Sequence, residues 1–145
     1  MAADEVLHAA ASHGITIVCS SGVDSAISAS YPATSPWVLA VGGTSLKASA
    51  GKIVSEVVYG DQSGGVSEVL PMPPWQSDVP VPSRKDGKKG RGVPDVAANA
   101  EPNHGYFNVL HGSATAVGGT SGATAFWAGV VAVINQGVGH NIGRA

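Results

Sequence analysis

The run VGGTSGATAFWAGVVAVINQ, residues 117–136, limits what this chain can fold into more than any other segment. From about Ser121 to Gln136 its residues are small or apolar on nearly every side of a helical repeat, and Gly137 is placed to stop it. A helix apolar nearly all round belongs inside a domain, so the remaining chain must supply layers to pack against it. With 145 residues, one domain with a real core is affordable, though the length is short for an α/β enzyme with a complete active site. Hydrophobic residues make up 43% and charged residues 12%, with 20 glycines, which suits a compact, glycine-turned chain rather than a disordered one.

The preceding segments supply those layers in α/β order. In MAADEVLHAAASHG, Ala2, Ala3, Val6, Leu7, Ala10 and Ala11 recur at three- and four-residue steps. Asp4 and Glu5 occupy the first turn and Gly14 ends the helix. ITIVCS is a short β-branched run that reads as a buried parallel strand, and WVLAVGG is a second apolar run closed by glycines. Between them lies the Ser-, Gly- and Pro-rich loop SGVDSAISASYPATSP. GKIVSEVVYGDQSGG suggests a strand ending in a turn, and the proline-rich, basic stretch from Pro71 to Arg91 reads as an irregular surface excursion. GYFNVL, HGS and ATAVGG then read as strand, tight turn and return arm. No internal repeat is present.

Charge and cysteine content exclude several functions. A formal charge of −2 gives no electrostatic footprint for nucleic acid, and the one basic cluster, Arg84, Lys85, Lys88, Lys89 and Arg91, sits among Gly, Pro and Asp as a solvated loop. The single cysteine, Cys19, excludes an internal disulfide and any multi-cysteine zinc site, and its apolar run suggests a buried thiol. No segment has the length of a membrane span, and the N-terminus lacks the basic-then-apolar order of a secretory signal.

Two segments could carry chemistry. Ser121 follows a Gly-Gly-Thr turn at the start of the apolar helix, where glycines admit a substrate and the unpaired N–H groups favour an oxyanion. By residue type alone, the plainer reading is that Thr120 or Ser121 merely caps the helix. Asp24, in SSGVDSA after the first strand, lies where open α/β sheets gather ligands. A protonated carboxyl there could donate to an oxyanion, and an Asx-type turn is the plainer alternative. His8, His13, His104, His111 and His140 show no spacing that makes a metal site or brings a base to Ser121, and they read as solvated or turn residues. The G-x-S-x-G pattern of an α/β-hydrolase elbow is absent around Ser121.

In order along the chain, AAASHGITIVCSSGVDSA, YPATSPWVLAVGGTSL, SGGVSEVLPMPPWQ, GRGVPDVAANAEPNHGYFNVL and VGGTSGATAFWAGVVAVINQGVGH resemble consecutive segments of the sedolisin family, the serine-carboxyl peptidases. The match runs from about Ala2 to Ile142. The resemblance implies a subtilisin-like α/β fold, a mainly parallel sheet with helices on both faces, here incomplete. It also implies hydrolysis of peptide bonds in acid through a Ser-Glu-Asp arrangement, with a further Asp at the oxyanion hole. Carried over residue by residue, Ser121 matches the nucleophile and Asp24 the oxyanion Asp. Gly118 and Gly119 match the turn before the nucleophile, while Gly64 and Gly65 match a glycine-rich stretch flanking the substrate cleft. Asp95 in VPDVAA matches a family position and is assigned to structure, its carboxylate bonding nearby backbone N–H groups.

The departures define what to expect of residues 1–145. The family's general base Glu and its orienting Asp would lie upstream of residue 1, and Asp4 and Glu5 sit in a different context. The family's calcium loop would lie beyond Ala145, so no metal residue is assigned. Val23 interrupts the usual Gly-Asp-Ser-Gly order, Ala26 replaces its second glycine, and Gly122 stands where the family has Ala. The chain is thus expected to be an internal portion of a peptidase catalytic domain acting on polypeptides, weak or inactive alone, from a secreted or lysosomal family. Exposed apolar surface could let it associate. The alternative is a non-catalytic relative that binds a peptide or partner.

Overall fold

A computed structural model describes residues 2–22, 29–60 and 64–144. Helix α1 (Ala2–Ser12) leads to strand β1 (Val18–Ser20), then β2 (Leu39–Ser49), β3 (Lys52–Val58) and β4 (Gly65–Pro71). After a 3-10 turn at Pro74–Gln76 come β5 (Gly90–Val93), β6 (Val96–Asn99), a second 3-10 turn at Pro102–His104, the strands β7 (Tyr106–Leu110) and β8 (Ser113–Val117), and helix α2 (Gly119–Val138).

The central sheet is organised by β2. Its first residues pair in parallel with β1, so that Val18 meets Leu39 and Ser20 meets Val41. On the other edge Val41–Thr44 pair in parallel with β6. Thr44 pairs with Asn99 on that edge and with Val58 of β3 on the first, so β1 and β3 lie end to end along one side of β2. Successive strand residues alternate between faces. Ala40 therefore packs with Ala33, Val93 and Cys19 on one face, while Val41 packs with Ala98, Ala123, Val18 and Trp127 on the other. Helix α2 covers the second face and touches β1, β2 and β6. Helix α1 is tied to the approach to β2, where Ser35 Oγ donates to Asp4 Oδ1 at 2.6 Å and the His8 ring lies 4.1 Å from that of Trp37.

The expected mainly parallel sheet is not what forms. Among the described residues the β1–β2 and β2–β6 pairs are parallel, whereas β2–β3, β4–β5 and β7–β8 are antiparallel, so most pairings are antiparallel. The reason is local for two of them. Ala50–Gly51 and His111–Gly112 are two-residue turns with positive φ at both positions, the geometry that matches hairpin twist. The parallel pairs are confined to the centre, where connections cross between layers.

Three further expectations change. The region from Pro71 to Arg91 holds a 3-10 turn and the start of a strand, and Arg91, placed by sequence in a solvated basic loop, is only 1% exposed. Residues 96–99, to which the sequence assigns no strand, form a strand of the central sheet because their backbone completes the second edge of β2. Helix α2 begins two residues earlier than expected and ends on Gly139 in the left-handed conformation rather than on Gly137. It is also not enclosed: Thr120, Ala123 and Val131 are buried along one stripe, and Phe126, Val133, Ile134 and Val138 are exposed. The central sheet offers this helix one face, so only one stripe can be covered.

Candidate active site

Ser121 is exposed in the first turn of α2, and its hydroxyl has no hydrogen-bond partner among the described residues. The helix start beneath it is held from several directions. Thr120 is buried, and Ser20 Oγ, at the end of β1, donates to Thr120 Oγ1 at 2.6 Å. The Gly119 N–H donates to the Ala100 carbonyl at 2.7 Å, while the Ala100 N–H donates to the Thr44 carbonyl at 2.7 Å, so the helix start hangs from the central sheet. Trp127 Nε1 fixes the next turns by donating to the Ala97 carbonyl at 3.0 Å.

The glycines before Ser121 have separate physical reasons. Gly119 has φ +80°, a left-handed conformation that costs an L residue about 1–2 kcal/mol. Gly118 is the residue before the helix, and a Cβ there would fall 2.6 Å from Pro102 Cα and 2.7 Å from the Ala100 oxygen. No side chain caps the helix at Gly118, so Thr120 and Ser121 lie within the first turn and are not its cap. The first-turn N–H groups beside Ser121 have no intrahelical partner, and together with the helix dipole they favour developing negative charge nearby.

Asp24 lies outside the described residues, within 23–28. The two residues that open its loop are described. The Ser21 N–H donates to the Val41 carbonyl at 2.8 Å, and the Gly22 N–H donates to Ser20 Oγ at 3.3 Å. One hydroxyl, that of Ser20, thus joins the mouth of the Asp24 loop to the start of α2. Sequence reasoning passed over Ser20, although it is the last residue of a strand whose alternation points it at the face that α2 covers.

Gly64 and Gly65 sit elsewhere. Gly65 pairs with Val93, and a Cβ on Gly64 would fall 2.7 Å from the Val93 oxygen. Val93 belongs to the core cluster on the face turned away from α2. In that layer a buried polar network holds the strands. Arg91 Nη2 lies 2.6 Å from Asp95 Oδ2, which also accepts from the Ala40 N–H at 2.8 Å. Gln76 clamps Gly92 from both sides, its Nε2 donating to the carbonyl at 2.8 Å and its Oε1 accepting from the N–H at 2.9 Å. Asp95 thus bonds a backbone N–H as a structural residue would, and its second partner is the buried guanidinium.

One carboxylate near the helix start is a possible base by position alone. Glu101 follows Ala100 and accepts from Ser45 Oγ at 2.8 Å and from the Asn103 N–H at 3.3 Å. The Ser45 bond first, then the Asn103 N–H, lower its pKa; burial opposes them, and the charge of His104 and the Asn103 side chain add to the lowering. A carboxylate held ionised in this way is a poor proton acceptor. Among the histidines, His13 Nδ1 lies 2.7 Å from the Ala9 carbonyl and His8 packs on Trp37. The Cys19 thiol is half-buried, and burial raises its pKa. Among the described residues no group of three or more His, Cys, Asp or Glu could hold a metal ion.

A serine on a helix start stitched to the end of a parallel strand is a familiar arrangement of α/β hydrolases, and comparison with known proteins decides among them. The family model described as the subtilase family matches residues 2–142. The chain belongs to the subtilase family. Within it, this subtilase resembles the sedolisin and kumamolisin group. It is 42% identical over 150 residues to kumamolisin of Bacillus sp. (strain MN-32), covering 92% of this chain and 27% of that protein. It is 34% identical over 148 residues to tripeptidyl-peptidase 1 of Mus musculus, covering 88% of this chain and 26% of that protein. Among solved structures it is similar to a Pseudomonas sedolisin, a serine-carboxyl proteinase complexed with two molecules of pseudo-iodotyrostatin. The TM-score is 0.77 at 30% identity, over 97% of this chain and 43% of the sedolisin chain. The chain therefore spans about a quarter of the curated relatives' length and under half of the solved one.

Proposed function

We propose that this subtilase chain carries the nucleophile and oxyanion side of an acid-acting serine-carboxyl peptidase site. Ser121 Oγ attacks the scissile carbonyl of a polypeptide, and its proton passes to a carboxylate base that these residues do not provide. The protonated Asp24 side chain and a backbone N–H donate to the oxygen of the tetrahedral intermediate. Asp24 must be neutral to donate, which ties activity to acid pH. Gly118 and Gly119 keep the approach to Ser121 open, and Gly64 and Gly65 flank the bound polypeptide. The observation that carries this reading is the Ser20 hydroxyl, which bonds both Thr120, next to Ser121, and Gly22, at the mouth of the Asp24 loop.

The isolated chain should show little hydrolysis, because a nucleophile without its base loses most of its catalysis. At about pH 4 the isolated chain and its Ser121→Ala variant should give equal background rates. A chimera in which this chain replaces the matching part of kumamolisin supplies the remaining elements. Its peptide hydrolysis should fall by roughly 10³-fold or more on Ser121→Ala, and by about 10²–10³-fold on Asp24→Ala. A folded, active chimera indifferent to Ser121→Ala overturns the proposal.

A second reading, a non-catalytic relative that binds a partner, is favoured by the exposed Phe107, Val109 and Leu110 of β7 and Phe126 and Val133 of α2. A monodisperse, exchange-protected monomer on size exclusion would favour that binding module. Broad self-association would favour an incomplete enzyme.

A further inference from the structure

A cavity of about 400 Å³ opens between the start of α1, the stretch just after the Asp24 loop, and β4. It borders the core layer turned away from α2, since Ala29 both lines it and packs against the Ala33, Ala40 and Val93 cluster. Ala29, Val69 and Leu70 give it apolar walls. Ser67, also in the lining and buried, curls β4 around it by accepting from the Val69 and Leu70 N–H groups at 3.3 and 2.9 Å.

Among the described residues the side-chain charges in this lining have one sign. Asp4 and Glu68 both contribute to it, and no described lysine, arginine or histidine does. Asp4 uses Oδ1 to accept from Ser35 and keeps its second oxygen. Arg84 donates to the Leu70 carbonyl without lining the cavity. Thr34 is 3% exposed, lines the cavity, and has no hydrogen-bond partner for its hydroxyl among the described residues. Its oxygen is not one of the fully buried unpartnered side-chain atoms, so it stays open to a donor entering the cavity. Burial first, then the Asp4 charge and Cys19, raise the pKa of Tyr31, another lining residue, so its phenol is neutral and Asp4 lies within electrostatic reach of it.

We propose that this cavity takes the basic side chain, lysine or arginine, of a bound polypeptide. The aliphatic stem lies on the apolar walls, and the cationic head meets Asp4, Glu68 and the Thr34 hydroxyl. A purely apolar side chain would desolvate the carboxylates without pairing them, and an acidic one would be repelled. Two carboxylates among apolar walls are too few oxygens for a calcium shell. That the ligand is a polypeptide rests on the proposed peptidase function, and residues 29–34 follow the Asp24 loop directly in sequence.

The test titrates the chain by NMR with three blocked amino-acid amides, those of lysine, norleucine and glutamate. The lysine probe should bind saturably, with shifts at Tyr31 and Thr34, and the norleucine and glutamate probes should bind far more weakly. Glu68→Gln, at an exposed position, should weaken the lysine probe by up to about fivefold. Thr34→Val should weaken it by about fivefold and Thr34→Ser should restore it, a rescue that mere packing would not produce. Glu68→Lys should turn the preference toward the glutamate probe. Equal binding of lysine and norleucine, no saturable shift with lysine, or indifference to Glu68→Gln and Glu68→Lys each overturns the proposal. Binding is read without hydrolysis, so the two readings fail separately. A cavity that selects lysine in a chain whose chimera ignores Ser121→Ala removes the peptidase reading alone, and an active chimera without lysine selection removes the cavity alone.

Discussion

The β7–β8 hairpin and the start of α2 adjoin in sequence and are held in opposite ways. The hairpin is a five-residue ladder, from Tyr106 against Val117 to Leu110 against Ser113, and every residue of β8 is exposed. Phe107 is 84% exposed. The helix start, by contrast, is bonded to Ala100 and Ser20 and buries Thr120 and Ala123 against the central sheet. Tyr106 links the two, its ring 5.8 Å from that of Phe126. A ladder keeps its own shape with bonds that run only within it. A serine that must meet a substrate atom within a fraction of an ångström needs a mounting fixed from several elements at once. The layer around Arg91 is mounted in the same way, through Asp95, Ala40 and Gly92.

If mounting is what separates these regions, the largest loss should come from the Arg91 network. Asp95→Ala leaves a buried guanidinium without its opposite charge and should destabilise the chain by about 3–5 kcal/mol in urea unfolding. A loss under about 1 kcal/mol would mean that the network is not a mounting. Next, Gly119→Ala should cost about 1–2 kcal/mol through its left-handed φ, whereas Phe107→Ser in the hairpin should stay within about 0.5 kcal/mol. A hairpin variant as damaging as the helix-start variant would erase the contrast.

Thr120→Val removes the acceptor of the Ser20 hydroxyl and should cost about 1 kcal/mol. Amide exchange should then quicken at Gly22 and in the first turn of α2 together, and acceleration at only one of them would break the proposed coupling. The smallest effect concerns pH. Glu101 has a lowered pKa in the folded chain, so its contribution to stability is present above the unfolded value and is lost as pH falls through the folded one. Ser45→Ala should move that titration upward, read by carbon-detected NMR, because the Ser45 bond is the leading cause of the shift.

Much of this was legible in the sequence where the causes are local. The helix over α1, the apolar runs of β1 and β2, the His111–Gly112 turn and the long final helix follow from periodicity and turn residues. The family was legible too, since collinear motifs covering nearly the whole chain resemble the sedolisin group that the comparisons support. Strand β6 was not, because VAAN has no alternation and becomes a strand only through the free edge of β2. The burial of Arg91 was hidden for the same reason, since a basic run looks solvated until one member finds Asp95 across a turn. The exposure of α2 ran against its composition, because an apolar helix is buried only as far as neighbours reach it.

By itself, then, the sequence determined helix α1, the apolar runs of β1 and β2, the His111–Gly112 turn, the family and Ser121 at the head of an apolar helix, because these rest on residue type and short-range spacing. Tertiary structure alone decided that β2 is paired along both edges, that most pairings among the described residues are antiparallel, and that Ser20 joins Gly22 to the start of α2. Those depend on which backbone edges and hydroxyls meet across 55 or 100 residues of chain, a separation that no local pattern records.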